Sequence, residues 1–374
     1  MWELIGFEIT KLLRKPLVWA SLAGMLFLMF LMAYNWIIPG HAAVQEEVNG
    51  QWITWEDFEG IKRNKEIAEQ FSGPLTTEKV QDIIETYVFS NEILLSRGLD
   101  PDRQKHYTHN SMYQLFYEFE KMDGSYNGAT VEEVYGGPAK DLILGYYDGW
   151  ESTVYALMPS FMVWGCVIVI ILTPLFADEY TRRTDALILT GKRGRNYCSL
   201  AKIIAAYVVS LAGSLILLGF FALAMLVAHG TTGFYTSVQL GSLDMFLDTP
   251  YLMTWGQMFA CTSMLLLGAT VVLISLCLVV SALAKNSFSA LVIAFTLFSL
   301  PMFIPWHYFP EPITLAGMLL PINQMKIWNL SNFTKFDLGG FQLNVMWLAL
   351  PVAVIATVIG ILWSRRTFAK HQVL

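Results

Sequence analysis

Six stretches of the chain run without a single Lys, Arg, Asp or Glu: 17–38, 153–177, 203–228, 257–283, 287–306 and 344–363. At about 1.5 Å per residue, an apolar helix of roughly 20 residues crosses the ~30 Å hydrocarbon layer of a bilayer. The pattern therefore predicts six transmembrane helices. The first span follows a basic N-terminus, but it is too long for the apolar region of a signal peptide. No small-residue cleavage site follows it, so it reads as a retained anchor. Ahead of it, Trp2, Ile5, Ile9, Leu12 and Leu13 share one helical face, while Glu3, Thr10, Lys11 and Arg14 fall elsewhere. That stripe predicts an amphipathic helix over 1–16 lying in the interface, with Lys15-Pro16 turning it into the first span.

Between the first two spans, residues 39–152 alternate polar and apolar positions at helical spacing. Trp55-Glu-Asp-Phe58 opens one predicted helix. Leu75-Thr-Thr-Glu78 resembles a capping box ahead of Val80, Ile83, Ile84, Tyr87 and Val88. Two more helices are expected over 112–122 and 131–147. Gly73-Pro74, Asp100-Pro101 and Gly136-Gly137-Pro138 punctuate the series. Sixteen aromatic residues in this region are enough for a small core, and it contains no cysteine, so packing alone must hold it.

Charge fixes the expected orientation. If there are six spans, one side carries the N-terminal arm, residues 178–202, the turn at Lys285 and the tail 364–374. These hold 13 Lys+Arg against 5 Asp+Glu, and the other side holds 11 against 25. Basic residues near span ends mark the cytoplasmic side, so both termini are expected there, in the plasma membrane. Residues 39–152 carry a net charge of −12 and would lie outside. The expected fold is all-α and integral to the membrane: six spans, an interfacial N-terminal helix and a mainly helical extracellular domain. Overall the chain is 55% hydrophobic and 14% charged, well below the ~25% charged residues of soluble domains. Of the four cysteines, Cys166, Cys261 and Cys277 sit in apolar stretches and Cys198 beside a basic loop, so no disulfide is expected.

Several chemistries find no support in the residues. The nearest approach to a phosphate-binding loop, Ala186 to Arg193 with Gly191-Lys192, lacks the first glycine and the hydroxyl residue that would hold magnesium. No zinc-binding His-Glu-x-x-His helix occurs. His106 and His109 near Asp102 read as exposed polar residues of a turn, and Asp123-Gly-Ser-Tyr-Asn127 as a plain turn. The spans carry no carboxylate for a proton or sodium relay, which argues against an ion-coupled transporter. Asn329-Leu-Ser331 and Asn332-Phe-Thr334 match the short glycosylation acceptor, a motif that often occurs by accident. No cofactor, metal or nucleic-acid partner is expected, and no enzyme activity.

The segment 178–202 opens with acids and closes with bases. Asp178 and Glu179 precede Arg182 and Arg183 by four residues each, which on a continuous helix pairs them. Between the charges lie Ala186, Leu187, Ile188 and Leu189, an apolar patch too short to span. Physics alone leaves two readings open: a helix that docks a partner, or a loop lying on the membrane.

These residues resemble the cytoplasmic signature of the permease subunits of type-2 ABC exporters. The matching positions are Phe176, Glu179, Arg183, Thr184, Leu187, Leu189, Gly191, Arg195, Ala201 and Lys202. Arg183-Thr184 stands where Gly-Thr is commoner, and Gly191-Lys192 replaces Ser-Pro. The turn Ser281-Ala-Leu-Ala-Lys285-Asn286 is also similar to the family. The likeness covers the six-span layout, both termini and the interfacial helix, but not residues 39–152. It implies a separate ATPase subunit that binds ATP under the loop, contacted through Glu179, Arg183, Thr184, Leu187, Leu189 and Arg195. It also implies a second copy of the permease or a homologous one, in contact with membrane lipid. Residues 307–343 would match short outer helices that either dip into the membrane or fold as an outer loop. The implied function is export of a hydrophobic or amphipathic compound such as an antimicrobial peptide, antibiotic or lipid. The rival expectation is a non-transporting membrane protein whose acidic outer domain binds a ligand or an envelope partner.

Overall fold

The structure, a computed structural model, describes residues 1–37, 44–49, 51–87, 110–112, 115, 118–121, 125–184, 197–241, 252–326, 335–338 and 341–370. In chain order the helices used below are α1 (Trp2–Leu13), α2 (Pro16–Met32), α3 (Asp57–Gln70), α4 (Thr77–Tyr87), α5 (Val131–Tyr135), α6 (Asp148–Leu172), α7 (Pro174–Thr181), α8 (Ser199–Ala228), α9 (Trp255–Leu283), α10 (Ser287–Ser299), α11 (Glu311–Met318), α12 (Pro321–Gln324) and α13 (Val345–Ala369). The strands form three antiparallel pairs: β1 (Val44–Val48) with β2 (Gln51–Trp55), β3 (Gly73–Pro74) with β4 (Ile143–Leu144), and β5 (Lys335–Leu338) with β6 (Phe341–Asn344).

Among the described residues five helical segments are long and apolar enough to cross a membrane: Pro16–Ile37, Asp148–Thr181, Ser199–Ala228, Trp255–Leu283 and Trp347–Ala369. The sixth apolar stretch forms a shorter helix, Ser287–Phe303. Its α-helical part stops at Ser299, and a 3-10 turn carries Leu300–Phe303 around Pro301. The tighter turn rises about 2.0 Å per residue against 1.5 Å, so the segment still extends roughly 27 Å.

The described residues divide into two compact units. One comprises Met1–Leu31, Leu157–Phe220 and Thr262–Leu374; the other comprises Met32–Ala156 and Phe221–Cys261. The first unit contains α1, most of α2 and the longer parts of the apolar helices. Within it, Gly213 on α8 lets the Trp164 indole of α6 lie directly on the helix backbone, where any Cβ would collide with the ring. The indole N–H donates to Ser214 Oγ at 2.9 Å, so this buried polar atom is satisfied inside an apolar contact.

The second unit has its own core. Ile67 and Ala68 of α3, Val80, Ile83 and Ile84 of α4, and Phe119 pack with Leu142 and Leu144. α3 follows Trp55 as the pattern predicts. α4 is capped by Thr76, whose Oγ1 accepts from Lys79 N at 3.2 Å. The reciprocal capping box lies elsewhere, at Thr130 and Glu133 on α5. The helix expected over 131–147 is much shorter than its pattern implies. Gly136 takes φ 67 and ends α5, a 3-10 turn follows, and Ile143–Leu144 pairs as a strand with Gly73–Pro74. Most of the helix expected over 112–122 lies outside the described residues; Leu115, Glu118 and Phe119 within it are helical. The hairpin β1–β2 is an addition to the region expected to be mainly helical. Its Glu46 accepts from Arg63 Nε at 2.8 Å and from a terminal guanidinium nitrogen at 2.9 Å, and Trp55 Nε1 adds a third bond at 2.9 Å. This bidentate pair pushes the Arg63 pKa further up, chiefly through its hydrogen bonds to Glu46.

Candidate functional site

The candidate site centres on α7, the eight-residue helix that leads into the basic loop. Pro174 cannot donate a backbone hydrogen bond, so the apolar span breaks at Thr173 and a new helix begins. The first amides of that helix need acceptors. Ser281 of α9 supplies one: its Oγ accepts from Phe176 N at 2.9 Å and from Ala177 N at 3.4 Å, and donates to Thr173 O at 2.7 Å. One hydroxyl thus spans the break.

Both carboxylates of α7 are engaged by charge. Glu179 Oε1 lies 2.6 Å from Lys202 Nζ of α8 and 3.1 Å from Lys11 Nζ of α1. Lys202 also reaches Glu8 Oε2 at 2.9 Å. The Lys202 side chain is 0% exposed, and those of Glu179 and Glu8 are 2% and 5% exposed. Lys11 is 40% exposed, so its arm is worth at most about 1 kcal/mol. The buried members are different. Each costs several kcal/mol to desolvate, and their mutual attraction offsets this while all three are present. With Lys11 the cluster is neutral. The other oxygen of Glu179, Oε2, is buried with no hydrogen-bond partner among the described residues. Asp178 forms a second pair: Oδ2 lies 2.5 Å from Lys15 Nζ, and Oδ1 accepts a short hydrogen bond from Ser287 Oγ of α10.

Further contacts lock the helix in place. Tyr180 OH donates to Ala282 O at 3.3 Å, and Thr181 Oγ1 accepts from Ser287 N at 3.3 Å. Phe368 of α13 packs on Phe176, ring centroids 5.0 Å apart. The eight residues of α7 therefore touch α1, α8, α9, α10 and α13.

The sequence spacing pairs Asp178 with Arg182 and Glu179 with Arg183, but the carboxylates are used otherwise. α7 ends at Thr181, with Arg182 as its C-cap. Arg183 sits at φ 55, in the left-handed region, and so leaves the helical face. Glu179 points instead at the buried Lys202 ammonium, which has the greater need of a counter-ion. Thr184 folds back, its N–H donating to Glu179 O at 3.0 Å. Of the predicted site residues, Glu179, Arg183 and Thr184 are thus brought together. Leu187, Leu189 and Arg195 lie outside the described residues, as do Asp102, His106 and His109.

Glu8 and Ser287 are the residues that sequence reasoning missed, and Ser281 entered it only as part of the turn 281–286. For Glu8 a signal existed. The buried stripe of α1 is Ile5, Glu8 and Leu12, spaced i, i+3, i+7, with an acid at its centre. Trp2, on the face expected to meet the membrane interface, is 83% exposed, and Phe7 is 64% exposed. The helix is amphipathic in a less usual sense: an acid faces inward and aromatic residues face outward.

The chemistry available here is ionic and positional. Among the described residues no group of three His, Cys, Asp or Glu side chains is placed to hold a metal. The four cysteines carry free thiols. No family model matches the chain, and no curated protein matches it.

Proposed function

We propose that the chain is the membrane-spanning permease subunit of an ATP-driven exporter, with α7 as the element that passes movement from an ATPase to the spans. The observation that carries this reading is the convergence on α7. A short helix at the mouth of the basic loop is held by ion pairs, a bridging hydroxyl and aromatic contacts to five other helices. A push on the loop would be shared among them rather than absorbed at one joint. Segment Ser287–Phe303, at roughly 27 Å, is close to the thickness a sixth span requires. Both termini and the loop 178–202 then face the cytoplasm, and residues 39–152 form an outer domain. ATP would be bound by a separate subunit, and a second permease chain would complete the pathway for a hydrophobic or amphipathic compound.

The test is reconstitution with candidate ABC-type ATPase subunits from the same genome. The assembled complex should hydrolyse ATP faster with substrate present. Glu179→Ala and Leu187→Asp should leave the chain inserted and abolish that stimulation. Normal assembly together with normal stimulated hydrolysis in both variants would overturn the assignment. Failure of the chain to capture any ATPase, with ligand binding retained by the outer domain, would favour the non-transporting reading.

A further inference from the structure

An apolar groove of about 390 Å³ lies within the first unit, between α2, α6 and α8. Its floor is Met25, Met29, Trp164 and Leu217, all nearly buried, and its rim is formed by exposed residues, among them Trp19 and Ile216. The volume falls in the range of built ligand sites, about 300–1,000 Å³. Depth can be counted from the charged level set by Lys15 and Lys202. Trp19 lies one helical turn past Lys15, its N–H reaching Lys15 O at 3.4 Å, so it sits about 6 Å in and Met29 about 21 Å in. On α8, Gly213 and Leu217 lie about 16 and 22 Å beyond Lys202. One leaflet of hydrocarbon is about 15 Å deep. The groove thus starts just below the charged level and runs roughly the depth of a single leaflet.

Five residues before Trp19, at the level from which depth is counted, the chain carries an exposed cation. Arg14 caps α1 immediately before Lys15, is exposed, and has no ion pair among the described residues. Lys15 and Lys11 already answer Asp178 and Glu179, which leaves the Arg14 guanidinium as uncompensated charge at this level. An anionic group there would be complemented, and an apolar chain attached to it would lie along Trp19 toward Met29.

We propose that this groove is a binding site for one anionic glycerophospholipid, its phosphate at Arg14 and one acyl chain between α2, α6 and α8. The site needs only these helices to lie in a bilayer. It stands apart from the ATPase reading, which a lipid count does not touch.

The experiment uses the purified full chain in mild detergent, titrated with phosphatidylglycerol or with phosphatidylcholine of the same acyl chains. Bound lipid per chain is counted by native mass spectrometry. One saturable phosphatidylglycerol per chain is expected, retained about fivefold better than phosphatidylcholine, the effect of one basic residue near a membrane surface. Arg14→Gln should remove the preference and keep the weaker binding. Ala23→Trp and Ile216→Trp fill the groove from opposite walls, and each should abolish the saturable lipid of either headgroup; if one variant fails to fold, the other decides. Binding without saturation, unchanged retention in a folded groove variant, or a headgroup preference indifferent to Arg14→Gln would overturn the proposal. So would a groove closed by a second copy, seen as a lipid-free two-chain mass that Ile216→Trp splits.

Discussion

Lys202 of α8 and Glu179 of α7 meet at 2.6 Å with both side chains almost wholly shut off from solvent. Removing one partner of a buried pair leaves an uncompensated charge, at a cost of about 3–5 kcal/mol. Lys202→Met should therefore lower stability by that order, since it strands Glu8 and leaves Glu179 only the half-exposed Lys11. Adding Glu8→Gln and Glu179→Gln should recover most of the loss, because uncharged groups of similar shape no longer need the ammonium. Thermal melting followed with a thiol-reactive dye suits this test, as Cys277 is fully buried in the native chain. A triple variant as unstable as the single one would show that Lys202 acts through packing alone.

Ser281 carries a different load. Ser281→Ala removes the acceptor of two helix-start amides and the donor to Thr173 O. Leaving buried groups unpaired costs about 1–3 kcal/mol. A drop of that size in melting, with α1 still docked, is expected. An unchanged melt would mean that the break at Pro174 is satisfied by water.

A third outcome concerns His229, just beyond the end of α8. Its Nδ1 faces Tyr146 OH at 2.6 Å and its Nε2 faces Ile37 O at 2.8 Å. A carbonyl can only accept, so Nε2 carries the proton and Nδ1 accepts from the phenol. Burial pushes the imidazole pKa down from 6.5 to about 4, and the nearby Lys65 adds to the effect. Between those values the unfolded chain binds the proton and the folded one does not, so stability is full above about pH 6.5. It falls as pH drops toward 4, by up to roughly 3 kcal/mol. Tryptophan-monitored denaturation at pH 7 and pH 4.5 should show this loss. His229→Gln should flatten it, and an equal slope in the variant would assign the effect to other groups.

Topology gives the fourth. On a background without the native cysteines, Glu59→Cys on α3 should react with an impermeant maleimide in intact cells. Lys370→Cys should react only after permeabilisation. Outside labelling at 370 would remove the six-span arrangement.

Much of the scaffold could be read from the residues because it rests on local composition. A charge-free run of twenty residues has few alternatives, and five of the six runs form helices of full length. The limits came where distant residues decide the outcome. Nothing near Glu179 in sequence announces Lys202, and the adjacent Arg183 is a more obvious partner by spacing. Ser281 is silent in sequence, since its role exists only once α9 lies beside the break at Pro174. The hairpin β1–β2 was legible but passed over. Asn49-Gly50 is a strong two-residue turn signal between Val44–Val48 and Gln51–Trp55, and Asn49 indeed takes φ 54. The truncated α5 shows the opposite case, where helical spacing persisted beyond Gly136 and Pro138 but the backbone could not follow it.

Arg183 gives the loop one more property. A side chain in the left-handed region costs about 1–2 kcal/mol relative to the ordinary helical one, a cost that glycine does not incur. In this chain the swivel carries a bulky residue, so its range of rotation is narrowed, and Thr184 is clamped to the carbonyl of Glu179 one step later. The exit from α7 thus has its direction set by the helix behind it, and on the proposed reading torque on the loop would reach the ion cluster with little slack.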